Sequence, residues 1–424
     1  MEIRLYPSQI RGQVQAPPSK SAAHRALICA ALSPGESRVE GILPSADMEA
    51  TIRGLTALGA QIRLEGPVAH IRGLGGLPAP LPRQADCGES GSTLRFLLPL
   101  FALTGAESRL TGQGRLPQRP LGPYAQLFQE RGLPFAQDGA GVSFRGPLQA
   151  GEFTLDGDVS SQFISGLLFA LPLLPGDSCI HIRPPFESRS YVRLTLDAMA
   201  AYGIKASFVT DYTLAIPGGQ SYRAPSGPYV VEGDASQAAF FCTLGACLGG
   251  ISLTGLSPDT AQGDRVILDI LSRCGAAFAY DNGAYRFQAA PLQGVAADLG
   301  DCPDLGPILM VLGLFCKGET RLYNCGRLRI KESDRGAVMA EELRKLGGQV
   351  FLEGDTIRIR ESCLHAGSPL HSHGDHRVAM ALAIAGLCAR IPITLQDAQA
   401  VNKSYPAFWE DLESLGARLE RSYA

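Results

Sequence analysis

Short polar phrases recur along this chain where an apolar run is about to begin. They are Pro18-Ser19-Lys20-Ser21 with Arg25, Gly88-Glu89-Ser90-Gly91-Ser92 with Arg95, and Asp158-Val159-Ser160-Ser161-Gln162. The C-terminal half adds Asp301-Cys302-Pro303-Asp304, Lys331-Glu332-Ser333-Asp334-Arg335 and Gly374-Asp375-His376-Arg377. A helix N-terminus presents unpaired N–H groups and the positive end of a dipole. Ser, Gly and a cation placed there make a site for phosphate or carboxylate. Any one phrase is explained better as helix capping, because Ser and Asp are ordinary caps. Recurrence at equivalent positions, mostly with Lys or Arg, favours convergent anion binding. Among the acids, Glu332 lies between Lys331 and Arg335 and so reads as part of a site, whereas Asp304 by itself reads as a cap.

The elements that must position these phrases follow a sixfold repeat. An amphipathic run ends at Gly and an alternating run follows, at Leu58-Gly59-Ala60, Arg131-Gly132-Leu133, Tyr202-Gly203-Ile204, Cys274-Gly275-Ala276, Leu346-Gly347-Gly348 and Leu415-Gly416-Ala417. The glycines are spaced by 73, 71, 72, 72 and 69 residues, and so constant a period marks an internal repeat. Before each Gly the apolar residues fall at helical spacing, as with Val192, Leu196 and Met199; after it the period is two, as with Ala60, Ile62 and Leu64. Each copy also holds a second helical run, beginning near Lys20, Gly91, Gln162, Ser236, Leu305 and Arg377 and apolar nearly all round, which belongs inside. Ala235 to Pro258 reads as such a buried helix followed by a turn. The expectation is an α/β (α+β) chain in which each repeat gives one buried helix, one outer helix and several strands, three repeats to each of two domains.

Composition bounds the function. The chain has 424 residues, 45% hydrophobic and 19% charged, which suits two large globular domains. A formal charge of −3 offers no general field for nucleic acid or anionic membrane. The N-terminus has no signal-peptide pattern and no run is a membrane span, so a cytoplasmic protein is expected. Eleven scattered cysteines without a CxxC pair fit a reducing compartment. His371, His373 and His376 lack the spacing of known zinc motifs, and the sequence shows no Cys or carboxylate set beside them, so no metal is expected. Neither a dinucleotide fingerprint nor a Gly-Lys-Ser/Thr phosphate loop is present.

Taken in order from Pro18 to Pro406, these motifs, with Arg119-Pro120, Ser188 and Tyr191, and Lys403-Ser404-Tyr405-Pro406, resemble those of the 5-enolpyruvylshikimate-3-phosphate synthase family of enolpyruvyl transferases. The resemblance implies a two-domain enolpyruvyl transferase fold of six βαβαββ repeats, with residues 1–18 plus 230–424 in one domain, 19–229 inserted as the other, and the active site in the cleft between them. It implies transfer of the enolpyruvyl group of phosphoenolpyruvate to the 5-hydroxyl of shikimate 3-phosphate by addition and elimination, without cofactor, by a monomer that closes on its substrates.

The roles implied by resemblance are as follows. Asp304 accepts the 5-hydroxyl proton, Glu332 delivers a proton to C3 of phosphoenolpyruvate, and Lys20 sits catalytically between the substrates. Lys20, Gly91, Arg119, Gln162, Arg335, Arg377 and Lys403 bind phosphoenolpyruvate. Ser21, Arg25, Ser160, Ser161, Gln162, Ser188, Tyr191, Asp304 and Lys331 bind shikimate 3-phosphate. Two positions depart from the family: Glu89 stands where Asn is frequent in the Gly-rich loop, and Arg327 where many relatives have Asn. The competing readings are a UDP-N-acetylglucosamine enolpyruvyl transferase and a non-catalytic ligand-binding relative. The first typically has a Lys-Asn pair and a loop Cys, whereas this chain has Lys20-Ser21 and no Cys from Gly112 to Arg119.

Overall fold

The computed structural model describes residues 1–76 and 79–423. Its helices are α1 (Lys20–Leu32), α2 (Ala46–Leu58), α3 (Gly91–Phe101), α4 (Gly122–Glu130), α5 (Ser161–Ala170) and α6 (Arg189–Ala201), followed by α7 (Ala235–Leu248), α8 (Val266–Arg273), α9 (Gly306–Leu314), α10 (Arg335–Lys345), α11 (His376–Ala389) and α12 (Phe408–Ser414). Odd-numbered helices are the buried ones: every residue of α9 is buried, as is α11 from His376 to Cys388. Even-numbered helices bury one face, as α2 does with Met48, Thr51, Leu55 and Leu58. The glycine that closes each repeat has a positive φ at all six positions, from 64° at Gly132 to 116° at Gly59. That left-handed geometry is nearly free only for glycine, which is why the sequence punctuates there.

The strands form six four-stranded sheets among the described residues. Each has one plan, a parallel pair of strands beside antiparallel ones; in four sheets the parallel strands are joined across a buried helix, and in five the antiparallel strands form a hairpin that follows the outer helix. In the second repeat Arg83–Asp86 runs parallel to Glu107–Thr111, which pairs antiparallel with Gly141–Arg145, the partner of Phe135–Asp138. Three sheets take a strand from a distant stretch of chain. Tyr229–Val230 lies parallel to Glu36–Glu40, Gly12–Gln15 parallel to Ile251–Thr254, and Glu2–Tyr6 antiparallel to both Ile393–Gln396 and Arg418–Ser422. The stretch after α7 therefore contains a strand, Ile251–Thr254, where periodicity alone suggested a turn.

The chain divides into two compact units, Met1–Pro17 with Glu232–Ala424, and Pro18–Val231. In the first, α7, α9 and α11 pack on one another. In the second, α3 packs on α5, and α6 on both α1 and α5. The α3–α5 approach is close because Gly166 lacks a side chain: a Cβ there would lie 2.3 Å from both the Arg95 carbonyl oxygen and the Tyr124 hydroxyl. Tyr124 uses this space to donate to the carbonyls of Arg95 and Phe163, at 2.8 and 3.1 Å.

Candidate active site

Most of the helices that carry the polar phrases begin with side-chain caps; α9, behind Asp301–Asp304, does not, so Asp304 is no cap. Ser19, Ser90, Ser160, Asp234, Asp334 and Asp375 each accept from a backbone N–H in the first turn of the helix they precede. Capping and site building are thus not alternatives here, because the cap fixes the direction in which the next residues point.

In the unit containing both termini, five residues singled out from sequence meet in one ion-pair network. Asp304, in a 3-10 turn before α9, accepts from Lys331 Nζ (3.1 Å) and Arg335 Nη1 (2.9 Å) through Oδ1, and from Arg377 Nη2 (3.0 Å) through Oδ2. Arg335 begins α10, with its side chain 1% exposed; besides Asp304 it donates to Glu332 Oε2 at 2.7 Å and Asp375 Oδ2 at 2.8 Å. Asp375, wholly buried, also accepts from Ser333 Oγ and from the Arg377 backbone N–H. Arg377 reaches Ser236 Oγ at 2.8 Å, in the first turn of α7. Lys403 is 8% exposed, and its neighbour Ser404 accepts from Gln237 of the same turn at 3.1 Å. Three buried helices therefore point their N-termini at one set of charges.

Electrostatics follow from this crowding. Burial alone would raise the Asp304 carboxyl, but Arg377, Lys331 and Arg335 outweigh it and hold the group well below the usual carboxylate range. Burial lowers Lys331 to about 8, helped by repulsion from Arg327 and Arg335 and opposed by Asp304. For Arg335, burial pulls the guanidinium down, and the carboxylates of Asp375, Glu332 and Asp304 more than reverse it.

The unit of residues 18–231 holds its cations differently. Lys20, the first residue of α1, pairs with Asp47 at 2.8 Å. Arg25, 2% exposed, donates to Thr195 Oγ1 (2.8 Å), the Ser21 carbonyl (2.7 Å) and the Tyr191 carbonyl (2.9 Å), and lies over the Phe96 ring at 5.0 Å. Burial lowers it to about 10, so it keeps its charge at neutral pH. Gln162 accepts from Arg95 Nη1 at 2.7 Å and donates to Ser92 at 2.9 Å. Ser161 is the first residue of α5, and the Ser160 hydroxyl accepts from the Gln162 N–H. Ser188 stands before α6 with φ 55°, a strained conformation for Ser. A Cβ on Gly91 would lie 2.7 Å from Arg119 Nη1, so glycine there makes room for the guanidinium. Glu89 rests against Gly114.

Several contributors were not assigned roles from sequence. Asp375 lies inside a motif already singled out, so its place in the phrase was the available signal. Ser333, inside Lys331–Arg335, had the same signal; Asp47 and Ser236 gave none beyond ordinary capping or helical composition. The histidine reading needs correction in one respect: the fold does bring carboxylates to His373. Its Nε2 lies 2.8 Å from Glu342, and Glu341, Glu342 and His373 offer ligand atoms within 4.8 Å of one another. Glu342 also accepts from Lys345 Nζ (2.8 Å) and the His371 N–H (3.1 Å), which makes it a tether from α10 to the loop before Asp375.

Six such repeats in two units place the chain in the class of enolpyruvyl transferases. Among solved structures the chain matches EPSP synthase from Acinetobacter baumannii, with TM-score 0.81, 25% identity, and 99% and 100% of the two chains covered. It shares its fold with the enolpyruvyl transferase NikO from Streptomyces tendae, with TM-score 0.78 and 18% identity over 100% and 99% of the chains. The family model for EPSP synthase (3-phosphoshikimate 1-carboxyvinyltransferase) matches residues 6–412. Proteins named 3-phosphoshikimate 1-carboxyvinyltransferase from Clostridium botulinum (strain Eklund 17B) and Clostridium kluyveri are 41% and 40% identical, over 98% and 99% of this chain and 97% and 98% of theirs. The chain belongs to the EPSP synthase family, enolpyruvyl transferases of the shikimate pathway. No helix among the described residues is long and apolar enough to cross a membrane.

Proposed function

We propose that the two constellations act together on phosphoenolpyruvate and shikimate 3-phosphate, with Asp304 and Glu332 moving the protons. The observation that carries this reading is that both carboxylates converge on one buried guanidinium, Arg335. In the addition step the 5-hydroxyl oxygen bonds to C2 of phosphoenolpyruvate, Asp304 takes the hydroxyl proton, and Glu332 gives a proton to C3. In the elimination the C2–O bond to phosphate breaks, C3 returns its proton to Glu332, and phosphate leaves with the proton that Asp304 had taken. Two multiply charged anions must be held together for this, and pre-placed cations supply that stabilisation.

Asp304 is a weak base while three cations surround it. Incoming carboxylate and phosphate oxygens would draw Arg335, Arg377 and Lys331 away, and its proton affinity would rise when the hydroxyl arrives. Arg119, Arg335, Arg377 and Lys403 then clamp phosphoenolpyruvate, with Lys20, Gly91 and Gln162 beside it. Ser21, Arg25, Ser160, Ser161, Ser188, Tyr191 and Lys331 hold shikimate 3-phosphate. The planar Arg fork suits these anions because it pairs two oxygens at once. The protein acts as a cytoplasmic monomer without metal or organic cofactor; its eleven free thiols support a reducing compartment.

The test is phosphate release from phosphoenolpyruvate in the presence of a chelator, with shikimate 3-phosphate or UDP-N-acetylglucosamine as acceptor. Release only with the former, lost in Asp304→Ala and Glu332→Ala, is the expected result. Release with neither, from folded protein, would leave a ligand-binding relative.

A further inference from the structure

Two neighbouring residues of α1 turn to different helices. Arg25 reaches α6, where Thr195 Oγ1 accepts from its Nε at 2.8 Å, and Thr195 in turn bonds Ser165 of α5 at 2.8 Å. His24 reaches α2 and begins a second chain. Its Nδ1 lies 2.7 Å from Thr51 Oγ1, which lies 2.6 Å from Thr93 Oγ1 of α3. Thr93 Oγ1 donates to Ser90 Oγ at 2.8 Å. All four residues of this chain are buried, at 1% exposure or less. Ser90 is the cap of α3 and accepts also from the Thr93 N–H; Gly91 follows it. Gly54 permits so close an approach of α2 to α3, since a Cβ there would clash with Leu97.

Proton counting sets the direction of the chain. Burial lowers His24 to about 3, opposed by Asp47 and reinforced by Lys20 and Arg25, so the ring is neutral and carries one N–H. With that proton on Nδ1, every link receives one proton: the ring donates to Thr51, Thr51 to Thr93 and Thr93 to Ser90. Nε2 has no hydrogen-bond partner among the described residues, and in this arrangement it is a bare lone pair, not a stranded donor. Asp47, one turn before Thr51 on α2, pairs with Lys20 at 2.8 Å. One face of α2 thus ties the start of α1 to the start of α3.

We propose that Thr51 is a positioning residue for phosphoenolpyruvate, holding Lys20 and the Gly91 turn at a fixed separation through Asp47, His24, Thr93 and Ser90. The inference rests on the functional reading above, in which Lys20 and Gly91 lie beside that substrate. Arg25, assigned there to shikimate 3-phosphate, is braced instead by Thr195 on the α5–α6 side. Loss of the Thr51 hydroxyl therefore weakens the grip on one substrate and spares the other. A methyl group in its place leaves two buried partners, His24 and Thr93, each short of a hydrogen bond. A misplacement of about 1 Å is enough to blunt a positioned group.

Steady-state kinetics with both substrates read this split. In Thr51→Val, which keeps shape and removes the hydroxyl, KM for phosphoenolpyruvate is expected to rise about tenfold and KM for shikimate 3-phosphate to stay within about twofold. Thr51→Ser restores the hydroxyl and should stay near wild type. Thr93→Val cuts the same chain one link later, gives the same split, and serves if Thr51→Val folds poorly. Equal rises in the two KM values, or an unchanged KM for phosphoenolpyruvate in folded Thr51→Val, overturn the proposal. Hydrogen exchange in the substrate-free protein separates that outcome from failure of the functional reading. Amides of residues 90–94 should exchange about tenfold faster in Thr51→Val, while those of residues 161–165, at the start of α5, keep their wild-type rates. If the wild-type protein releases no phosphate, the functional reading fails; exchange unchanged at 90–94, or raised equally in both segments, overturns the coupling by itself.

Discussion

The two units bury arginine by opposite means. Arg335 is surrounded by the carboxylates of Asp304, Glu332 and Asp375, which cancel its charge. Arg25 is as deeply buried but is held by one hydroxyl and two carbonyls, which orient the guanidinium and leave its charge for another anion. Lys20 on that side is paired with a carboxylate, Asp47. In the function proposed above, neutral partners suit a group that holds a phosphate, while a neutralised cluster suits proton transfer, because displacing any one member changes the proton affinity of the rest.

Removing the centre of the neutralised cluster should have the largest effect. Arg335→Ala strands three carboxylates, and loss of one partner from a buried pair costs about 3–5 kcal/mol. The expected outcome is a lowered denaturation midpoint together with near-complete loss of turnover. Next comes Asp304→Asn, which keeps shape and removes charge: kcat should fall by about 10²–10⁴-fold, with a smaller change in KM for either substrate. A variant that kept wild-type kcat would take the base role from Asp304.

On the other side, Arg25→Lys preserves charge and loses the fork that spans Thr195, Ser21 and Tyr191. KM for shikimate 3-phosphate should rise by about tenfold or more, with a smaller loss in kcat. Equal losses in Arg25→Lys and Arg25→Ala would show that orientation, not charge, matters there.

Lys331 sharpens the comparison through pH. Its folded value, about 8, lies below that of a free lysine, so it sheds its charge as pH rises through 8. KM for shikimate 3-phosphate should climb above that pH, and Lys331→Arg should flatten the climb. Because the unfolded chain holds this proton more tightly, the group also adds stability as pH rises from about 8 towards 10.5. Asp304 has the same sign in an acidic window: its contribution is present above about pH 4 and is lost as pH falls through its depressed folded value. The smallest effect is expected from Gly91→Ala, whose methyl group would push Arg119 aside. It should raise KM for phosphoenolpyruvate several-fold and leave Tm nearly unchanged, since a guanidinium tip can move.

Much of the architecture was legible because it rests on local physics. The six glycines adopt the left-handed geometry that follows a helix, and apolar periodicity separates buried from amphipathic helices without reference to the fold. Lys331, Glu332, Arg335 and Arg377 could be named because they lie at or near capped helix starts, where polar residues stand out against apolar runs; Asp304, before the uncapped α9, was named through the family resemblance. Asp47 could not be named: it is 27 residues from Lys20 and looks like any acid in the first turn of an amphipathic helix. Glu342 was equally hidden, since only the packing of α10 against the His371–Gly374 loop makes it a tether.

The sequence by itself determined the repeat, the helix ends, the buried faces and the chemical types gathered at the caps, all consequences of neighbours within a turn or two. Tertiary structure decided which distant strands complete three of the sheets and which carboxylate faces which cation. Those outcomes depend on packing between segments far apart in the chain, and no periodicity within a segment encodes its partner.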